Sequence, residues 1–315
     1  MSNRLAVSFA GMDWDNPLTV ASGMYVPWGR DMPELPLAEL GAVTCKSVSV
    51  EAWPGNAKPW FADLGAGLGM LNAIGIRNPG IDTYLHDHTA ELVGLGRPLI
   101  QSLAAVSLED FRRLAARFTQ AGIFAALELN MSCPNTDLAQ IAFGQSPEAA
   151  YELVHAVRGE TNLPVIAKLT PNAGDVPSVA RACAEGGAAA LTLINTVLAM
   201  DIDVKTGLPR TGIRTAGLSG PAILPLALRI VWDVFEAVDL PIIGVGGIGS
   251  AEDALKFILA GATAVAVGTA AVRRPEVMRE VITGLEAACT ERGVGIQDLV
   301  GLSHRLWAER AQTPR

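Results

Sequence analysis

The segment Ile242-Ile243-Gly244-Val245-Gly246-Gly247-Ile248-Gly249 decides the fold class of this chain. It matches the GxGxxG pattern of dinucleotide-binding folds, and taken alone it would predict such a fold. That fingerprint also requires an acidic residue about 20 positions further on, at the end of the next strand. The corresponding stretch, Val267-Gly268-Thr269, carries no carboxylate. The segment therefore favours a glycine-lined phosphate pocket, with a simple tight turn as the alternative.

Short apolar runs, typical of strands buried on both faces, recur along the chain on the N-terminal and C-terminal sides of this segment. With the segment's own strand, they lie at Leu18–Ala21, Ala42–Lys46, Pro98–Leu103, Phe124–Leu129, Val165–Leu169, Ala190–Ile194, Ile242–Val245 and Ala264–Val267. Helical patterns separate them, among others at Ser107–Ala121, Pro147–Glu160, Val176–Glu185, Pro221–Ala237 and Ala251–Leu259. This alternation predicts an α/β protein with a parallel sheet.

Eight strand–helix units favour closure into a single (β/α)8 barrel, a TIM barrel, over an open doubly wound sheet. Two longer segments, Val48–Gly80 and Ala199–Ser219, interrupt the alternation. We interpret them as loop insertions at the C-terminal mouth, because long ordered loops in a compact domain are usually functional. One domain is predicted over residues 1–315.

Composition limits the classes of partner. The net charge of −8 argues against nucleic acid and anionic membrane surfaces, which require a basic face. The four cysteines are far apart and form no CxxC, so no metal or iron–sulfur site is predicted within the chain. With no signal-peptide pattern and no apolar run long enough to span a bilayer, we expect a cytoplasmic protein.

Polar residues and glycines lie at or after the ends of the predicted strands, where a barrel enzyme carries its chemistry. They are Ser22, Lys46, Ser47, Asn130, Lys168, Asn195, Thr196, Gly246, Gly247, Gly268 and Thr269. Lys46 and Lys168 occupy equivalent strand ends. A single lysine there could be a snorkelling edge residue, but two buried cations predict a bound anion, because buried charges require partners.

Amide side chains and one cysteine complete the predicted mouth. Asn72, Asn130, Asn135 and Asn195 both donate and accept, which suits a ring with alternating C=O and N–H groups such as a pyrimidine. Individually, each is more typical of a turn or cap. Cys133 lies in a loop between two asparagines, which favours a functional role over an inert core role. Because no histidine lies near it in the sequence, proton transfer fits better than acyl transfer.

Six segments, residues 16–23, 69–76, 130–135, 193–196, 217–222 and 244–249, together form a specific pattern. Through them the chain resembles dihydroorotate dehydrogenases over nearly its whole length. It implies that FMN lies across the barrel mouth. The residues it implies for FMN are Ser22, Lys46, Ser47, Asn130, Lys168, Ile194, Gly220, Gly246, Gly247, Gly268 and Thr269. Those it implies for the substrate are Lys46, Asn72, Ala73, Ile74, Gly75, Ile76, Asn130, Asn135, Asn195 and Thr196.

The resemblance also implies roles for two residues. Cys133 would be the catalytic base, as in the cytosolic branch of the family, and Lys168 would stabilise negative charge developing on the flavin. The sequence departs from the family pattern at Ser102, Trp53 and Trp60, and residues 136–141 lack the usual glycine-rich run. These departures concern substrate affinity and lid behaviour more than the flavin site.

The implied reaction is oxidation of dihydroorotate to orotate in pyrimidine biosynthesis. The segments from Asn72 and Gly244 look more like the NAD-linked branch than the fumarate-linked homodimeric one. This resemblance implies a homodimeric catalytic subunit that works with an FAD and iron–sulfur electron-transfer subunit, with which it would form a heterotetramer. The alternatives are the fumarate-linked branch, a flavoenzyme acting on another dihydropyrimidine such as dihydrouracil, a flavin-free barrel isomerase or aldolase, and a scaffold subunit.

Overall fold

A computed structural model of the protein describes residues 3–29, 34–65, 67–131 and 143–312. Its strands are β1 Val7–Phe9, β2 Met12–Trp14, β3 Leu18–Val20, β4 Val43–Val48, β5 Phe61–Asp63, β6 Met70–Asn72, β7 Leu99–Leu103, β8 Ala126–Asn130, β9 Val165–Leu169, β10 Ala190–Leu193, β11 Val197–Ala199, β12 Ala216–Ser219, β13 Ile242–Val245 and β14 Ala264–Val267. Its helices are α1 Ile81–Gly94, α2 Leu108–Ala121, α3 Pro147–Arg158, α4 Val176–Glu185, α5 Leu224–Phe235, α6 Ala251–Leu259, α7 Thr269–Arg273, α8 Val277–Arg292, α9 Ile296–Leu299 and α10 Leu302–Gln312.

Eight parallel strands form one sheet in the order β3-β14-β13-β10-β9-β8-β7-β4. The two outer strands approach each other and nearly close the sheet. The amide of Gly41, just before β4, donates to the carbonyl of Leu18 at 2.9 Å. The hydroxyls of Thr19 and Thr44 lie 3.1 Å apart across the same junction. The predicted (β/α)8 barrel is confirmed, and all eight predicted strands agree with the observed ones within two residues.

Three helices begin directly after the serine residues that the sequence marks as their starts. The side chains of Ser107, Ser146 and Ser250 accept hydrogen bonds from backbone amides three residues later and cap α2, α3 and α6. The predicted helix Pro221–Ala237 is wrong at its start, because Pro221–Ile223 forms a 3-10 turn and α5 begins at Leu224. Gly220 precedes that turn with a φ of +103°, a conformation that favours glycine.

The two insertions pair with each other over the barrel. They form an antiparallel sheet in the order β11-β12-β6-β5, which we call the insertion sheet. Its small core consists of Ala62, Leu71, Ala73 and Ala216. None of the helices in the described part of the chain combines the length and apolar character that crossing a bilayer requires.

Candidate active site at the barrel mouth

A cavity of about 390 Å³ lies at the carboxyl ends of the barrel strands. It is the place where parallel barrels carry their chemistry, because loops from several strands converge there. Nine residues predicted for the cofactor or substrate line it: Lys168, Ile194, Asn195, Thr196, Gly220, Gly246, Gly247, Gly268 and Thr269. Residues separated by up to about a hundred positions in the chain are thus brought to one chamber.

Lys168 supplies a buried positive charge to this cavity. It lies in β9, is 6% exposed, and lines the cavity wall. Its ammonium donates a hydrogen bond of 3.0 Å to the hydroxyl of Ser22, which follows β3. The ammonium is therefore anchored across the barrel mouth, as expected for a cation positioned to bind an anion rather than to reach solvent.

A chain of polar side chains crosses the mouth from β7 to β10. The hydroxyls of Ser102 and Ser47 lie 2.9 Å apart, and the Asn130 amide donates to Ser47 over a long 3.4 Å. The Asn195 amide donates to the Asn130 carbonyl oxygen at 3.2 Å, and the Thr196 backbone amide donates to Asn195 at 2.8 Å. These hydrogen bonds orient the Asn130 and Asn195 side chains, because the partners of an amide determine which way its oxygen and nitrogen point.

An irregularity in β4 brings two neighbouring residues to this site. Cys45 pairs with Gln101 and Val48 with Leu103, so that Lys46 and Ser47 together face Ser102. Such a bulge changes the direction of the side chains that follow it. The Lys46 carbonyl accepts a hydrogen bond of 3.0 Å from the Gln101 side chain, which fixes the bulged backbone.

Two glycines after β13 form part of the cavity wall. Gly246 and Gly247 have φ values of +140° and +78°, which side chains other than glycine rarely adopt. A Cβ on Gly246 would lie 2.8 Å from the Ala227 Cβ, and one on Gly247 would lie 2.9 Å from the Leu224 nitrogen. Glycine is required at both positions, and the backbone itself faces the chamber there.

The predicted substrate segment Asn72, Ala73, Ile74, Gly75 and Ile76 belongs to the insertion sheet and the loop after it. The Asn72 amide donates to the Gly217 carbonyl at 3.2 Å, and the Ala73 amide donates to Trp60 at 2.7 Å. Gly75 and Ile76 have positive φ values, +72° and +53°. This segment and Lys46 lie outside the described lining of the 390 Å³ cavity.

Cys133 and Asn135 lie outside the described residues, so the catalytic assignment of Cys133 stays a prediction. Cys45, Cys183 and Cys289 are free and buried, as is typical of cysteines with a core role. Burial raises the pKa of the Cys45 and Cys183 thiols to about 12. Within the described ranges, no group of His, Cys, Asp or Glu side chains is arranged to hold a metal ion.

The sequence analysis did not single out Glu128, Arg273 or Arg274. Glu128 is buried in β8, and the two arginines line the cavity after β14. Arg273 forms a 2.7 Å ion pair with Asp63 of the insertion sheet. The signal for Glu128 was a charged residue inside an apolar strand pattern, which is rare in a strand buried on both faces.

The residues that depart from the family pattern also have defined places. Ser102 is part of the polar chain of the mouth. Trp60 lies between two cations, with the Lys58 ammonium 4.8 Å and the Arg77 guanidinium 5.6 Å from its ring centroid. Trp53 pairs through its backbone with Asn78 at 3.0 Å. The two tryptophans therefore pack against the loop that carries the predicted substrate segment.

The family model that matches this chain and three of its relatives carry the name of one enzyme family. A sequence model of the family Dihydroorotate dehydrogenase matches residues 4–289. A relative from Desulforudis audaxviator (strain MP104C), named dihydroorotate dehydrogenase B (NAD(+)), catalytic subunit, is 45% identical over 97% of this chain and 99% of its own. Proteins of the same name from Desulforamulus reducens and Geobacillus kaustophilus are 43% and 42% identical, over 96% and 97% of this chain and 100% and 97% of their own.

Proposed function

The chain belongs to the dihydroorotate dehydrogenase family, and from this premise we propose that its barrel mouth binds FMN and oxidises dihydroorotate to orotate in pyrimidine biosynthesis. The observation that carries the proposal is the buried ammonium of Lys168, held by Ser22 in the wall of a glycine-lined cavity. A cation, an extended chamber and exposed backbone meet there in one site.

The residues of the cavity fit FMN. A flavin is a flat ring system with a phosphate tail, and Gly246 and Gly247 line the cavity with backbone atoms alone. The residues proposed to hold FMN are Ser22, Lys46, Ser47, Asn130, Lys168, Ile194, Gly220, Gly246, Gly247, Gly268 and Thr269. Gly246, Gly247, Gly268 and Thr269 would take the phosphate, because backbone amides of glycine-rich turns suit anions.

FMN, when bound, supplies the two-electron redox chemistry of the reaction. The protein supplies orientation, charge and a base. Lys168 stabilises negative charge at the mouth, where a fixed cation is most effective because it needs no reorganisation. Asn130 and Asn195, oriented by the polar chain, are placed to match the donors and acceptors of a pyrimidine ring.

Substrate would contact Lys46, Asn72, Ala73, Ile74, Gly75, Ile76, Asn130, Asn135, Asn195 and Thr196. Lys46 and the backbone amides near Gly75 and Ile76 would meet the substrate carboxylate. Cys133 would remove the proton from C5 of dihydroorotate. A free thiol has an ordinary pKa of about 8.5 and only its thiolate is a base, so activity should rise with pH through that range.

We propose that electrons leave through a partner. The relatives are named NAD(+)-linked catalytic subunits, and the word subunit implies a second protein. The proposed form is a cytoplasmic, homodimeric catalytic subunit that assembles with an FAD and iron–sulfur protein, in a heterotetramer, to reduce NAD. Turnover of the isolated chain tests this, with NAD, fumarate and quinone as acceptors. Robust turnover with fumarate, or with NAD without a partner, would overturn it.

The central experiment is anaerobic mixing of the purified holoprotein with dihydroorotate. We expect the visible flavin absorption to bleach, and dihydrouracil to have little effect. Cys133→Ala should retain FMN and lose roughly 10²–10⁴ in reduction rate, the usual contribution of a general base. Cys133→Ser should keep part of the rate, shifted to high pH. Reduction of Cys133→Ala at the wild-type rate would refute the assignment of the base.

A further inference from the structure

Glu128 is a buried carboxylate for which the proposed chemistry has no use. It lies in β8 and is 1% exposed. One carboxylate oxygen accepts a hydrogen bond of 3.0 Å from the Thr192 hydroxyl of β10. The other, Oε1, is enclosed and has no hydrogen-bond partner. Removing a carboxylate from water is unfavourable by several kcal/mol, so a compensating charge is expected beside it.

That charge is Lys168. Its ammonium nitrogen lies 3.9 Å from Glu128 Oε1, within ion-pair distance but too far for a hydrogen bond. Its hydrogen bond is made to Ser22 instead. Strand register determines the arrangement, since Lys168 is paired with Asn130 in β8 and with Thr192 in β10. Glu128 and Asn130 are alternate residues of one strand and therefore face the same side as Lys168.

The ammonium thus has a carboxylate on its inner side and forms part of the cavity wall. Both side chains are nearly enclosed by the protein. Charges this deeply buried are weakly screened by solvent and salt. A group in the cavity next to Lys168 therefore experiences a positive potential that is weaker than that of an unpaired cation, because Glu128 offsets part of it.

We propose that Glu128 is a positioning residue that acts through Lys168, offsets its charge and thereby holds the reduction potential of the bound flavin low. The inference rests on the proposed function, which places the flavin against Lys168. A reduced flavin carries more negative charge than an oxidised one, so an unopposed cation would favour the reduced form. By opposing that cation, Glu128 makes the reduced flavin a better electron donor to the next carrier.

The test is the midpoint potential of the bound FMN, measured by chemical reductive titration without dihydroorotate. Glu128→Gln preserves shape and removes the charge. We expect it to raise the midpoint potential by about 30 mV. For a two-electron couple this corresponds to a roughly tenfold increase in affinity for reduced FMN relative to oxidised FMN. Lys168→Met should shift the potential in the opposite direction. The double variant, which has no net charge change, should return close to the wild-type potential.

Two further variants separate charge from structure. Glu128→Asp keeps the charge and should keep a near wild-type potential. Thr192→Val removes the hydrogen bond to Glu128 without changing any charge, and should shift the potential much less than Glu128→Gln. A merely structural role would give no such dependence on the sign of the charge.

An unchanged or lowered potential in Glu128→Gln would overturn the inference. If that variant does not fold, Lys168→Met is compared with the double variant, which buries no unpaired charge; equal potentials of the two would overturn it as well. Wild-type protein that binds no FMN would refute the proposed function and this inference together. FMN that is bound but not reduced by dihydroorotate would refute only the proposed substrate.

Discussion

The barrel and the insertion sheet differ in how much apolar surface they bury. Every residue of β7, β9, β10, β13 and β14 is buried, and large side chains such as Phe111, Phe118 and Phe257 are fully enclosed between the strands and helices. The insertion sheet has a core of four residues, three of them alanine. Because hydrophobic stabilisation scales with the apolar area buried, the barrel has far more of it.

Exposed ion pairs add to the small core of the insertion sheet. Arg273, after β14, forms an ion pair with Asp63 at 2.7 Å, and Arg210 pairs with Asp201 at 2.6 Å. Apolar side chains such as Phe61 and Met200 remain about half exposed. The comparison teaches that the proposed flavin-binding half of the site lies on the extensively buried barrel, whereas the predicted substrate segment lies on the half with the small core, as is usual for elements that must admit a ligand.

The largest expected effect is on the barrel. Phe257→Ala removes a fully buried ring from α6 and should lower the free energy of unfolding by about 3–5 kcal/mol. Phe61→Ala, at a half-exposed phenylalanine of the insertion sheet, is the matched control and should change it by less than about 1 kcal/mol. Urea denaturation measures both. Equal losses in the two variants would contradict the comparison.

Thiol labelling measures opening of the barrel directly. Burial raises the pKa of Cys45 and Cys183 above the ordinary thiol value to about 12, which leaves on the order of a thousandfold less thiolate near neutrality. Iodoacetamide should therefore label both cysteines only as the barrel unfolds, and Phe257→Ala should accelerate this labelling. Fast labelling of Cys45 in the folded wild type, followed by peptide mass analysis, would show that the barrel is not closed around it.

A smaller and local effect is expected in the insertion sheet. Leu71→Ala empties most of its core and should destabilise that sheet by about 2 kcal/mol, the low end for such a change. Hydrogen exchange should accelerate in β5, β6, β11 and β12, while labelling of Cys45 stays unchanged. Leu208→Ala, at an exposed leucine between β11 and β12, is the control. Loss of protection throughout the barrel would mean that the two regions unfold as one unit.

The smallest effect is expected at the ion pair between the two regions. Asp63→Asn should weaken the contact with Arg273 by about 0.2–1 kcal/mol, because both side chains are well exposed. The coupling, obtained from a double-mutant cycle with Arg273→Gln and read by hydrogen exchange of β5, should fall as salt is added. Asp82→Asn, which breaks the surface pair with Arg117, serves as control. A coupling energy that does not change with salt would show that the interaction between Asp63 and Arg273 is not electrostatic.

The barrel was predictable because each strand carries its own signal. Strands buried on both faces are continuous apolar runs, and Ser107, Ser146 and Ser250 mark the starts of the helices between them. The insertion sheet was not predictable in this way. Its strands are only three or four residues long, and β6 pairs with β12, which lies far away in the chain. Such pairing depends on contacts that local periodicity does not contain.

By itself, the sequence determined the fold class, the glycine turn after β13 and the polar residues that follow each strand, because these depend on local pattern and on the convergence of parallel strand ends. Only the tertiary structure decided how those residues are coupled. The bulge that brings both Lys46 and Ser47 opposite Ser102, and the register that places Glu128 3.9 Å from Lys168, are relations between strands. A shift of one residue in register would turn every side chain to the other face of the sheet, so the charge balance of the site is set by strand pairing.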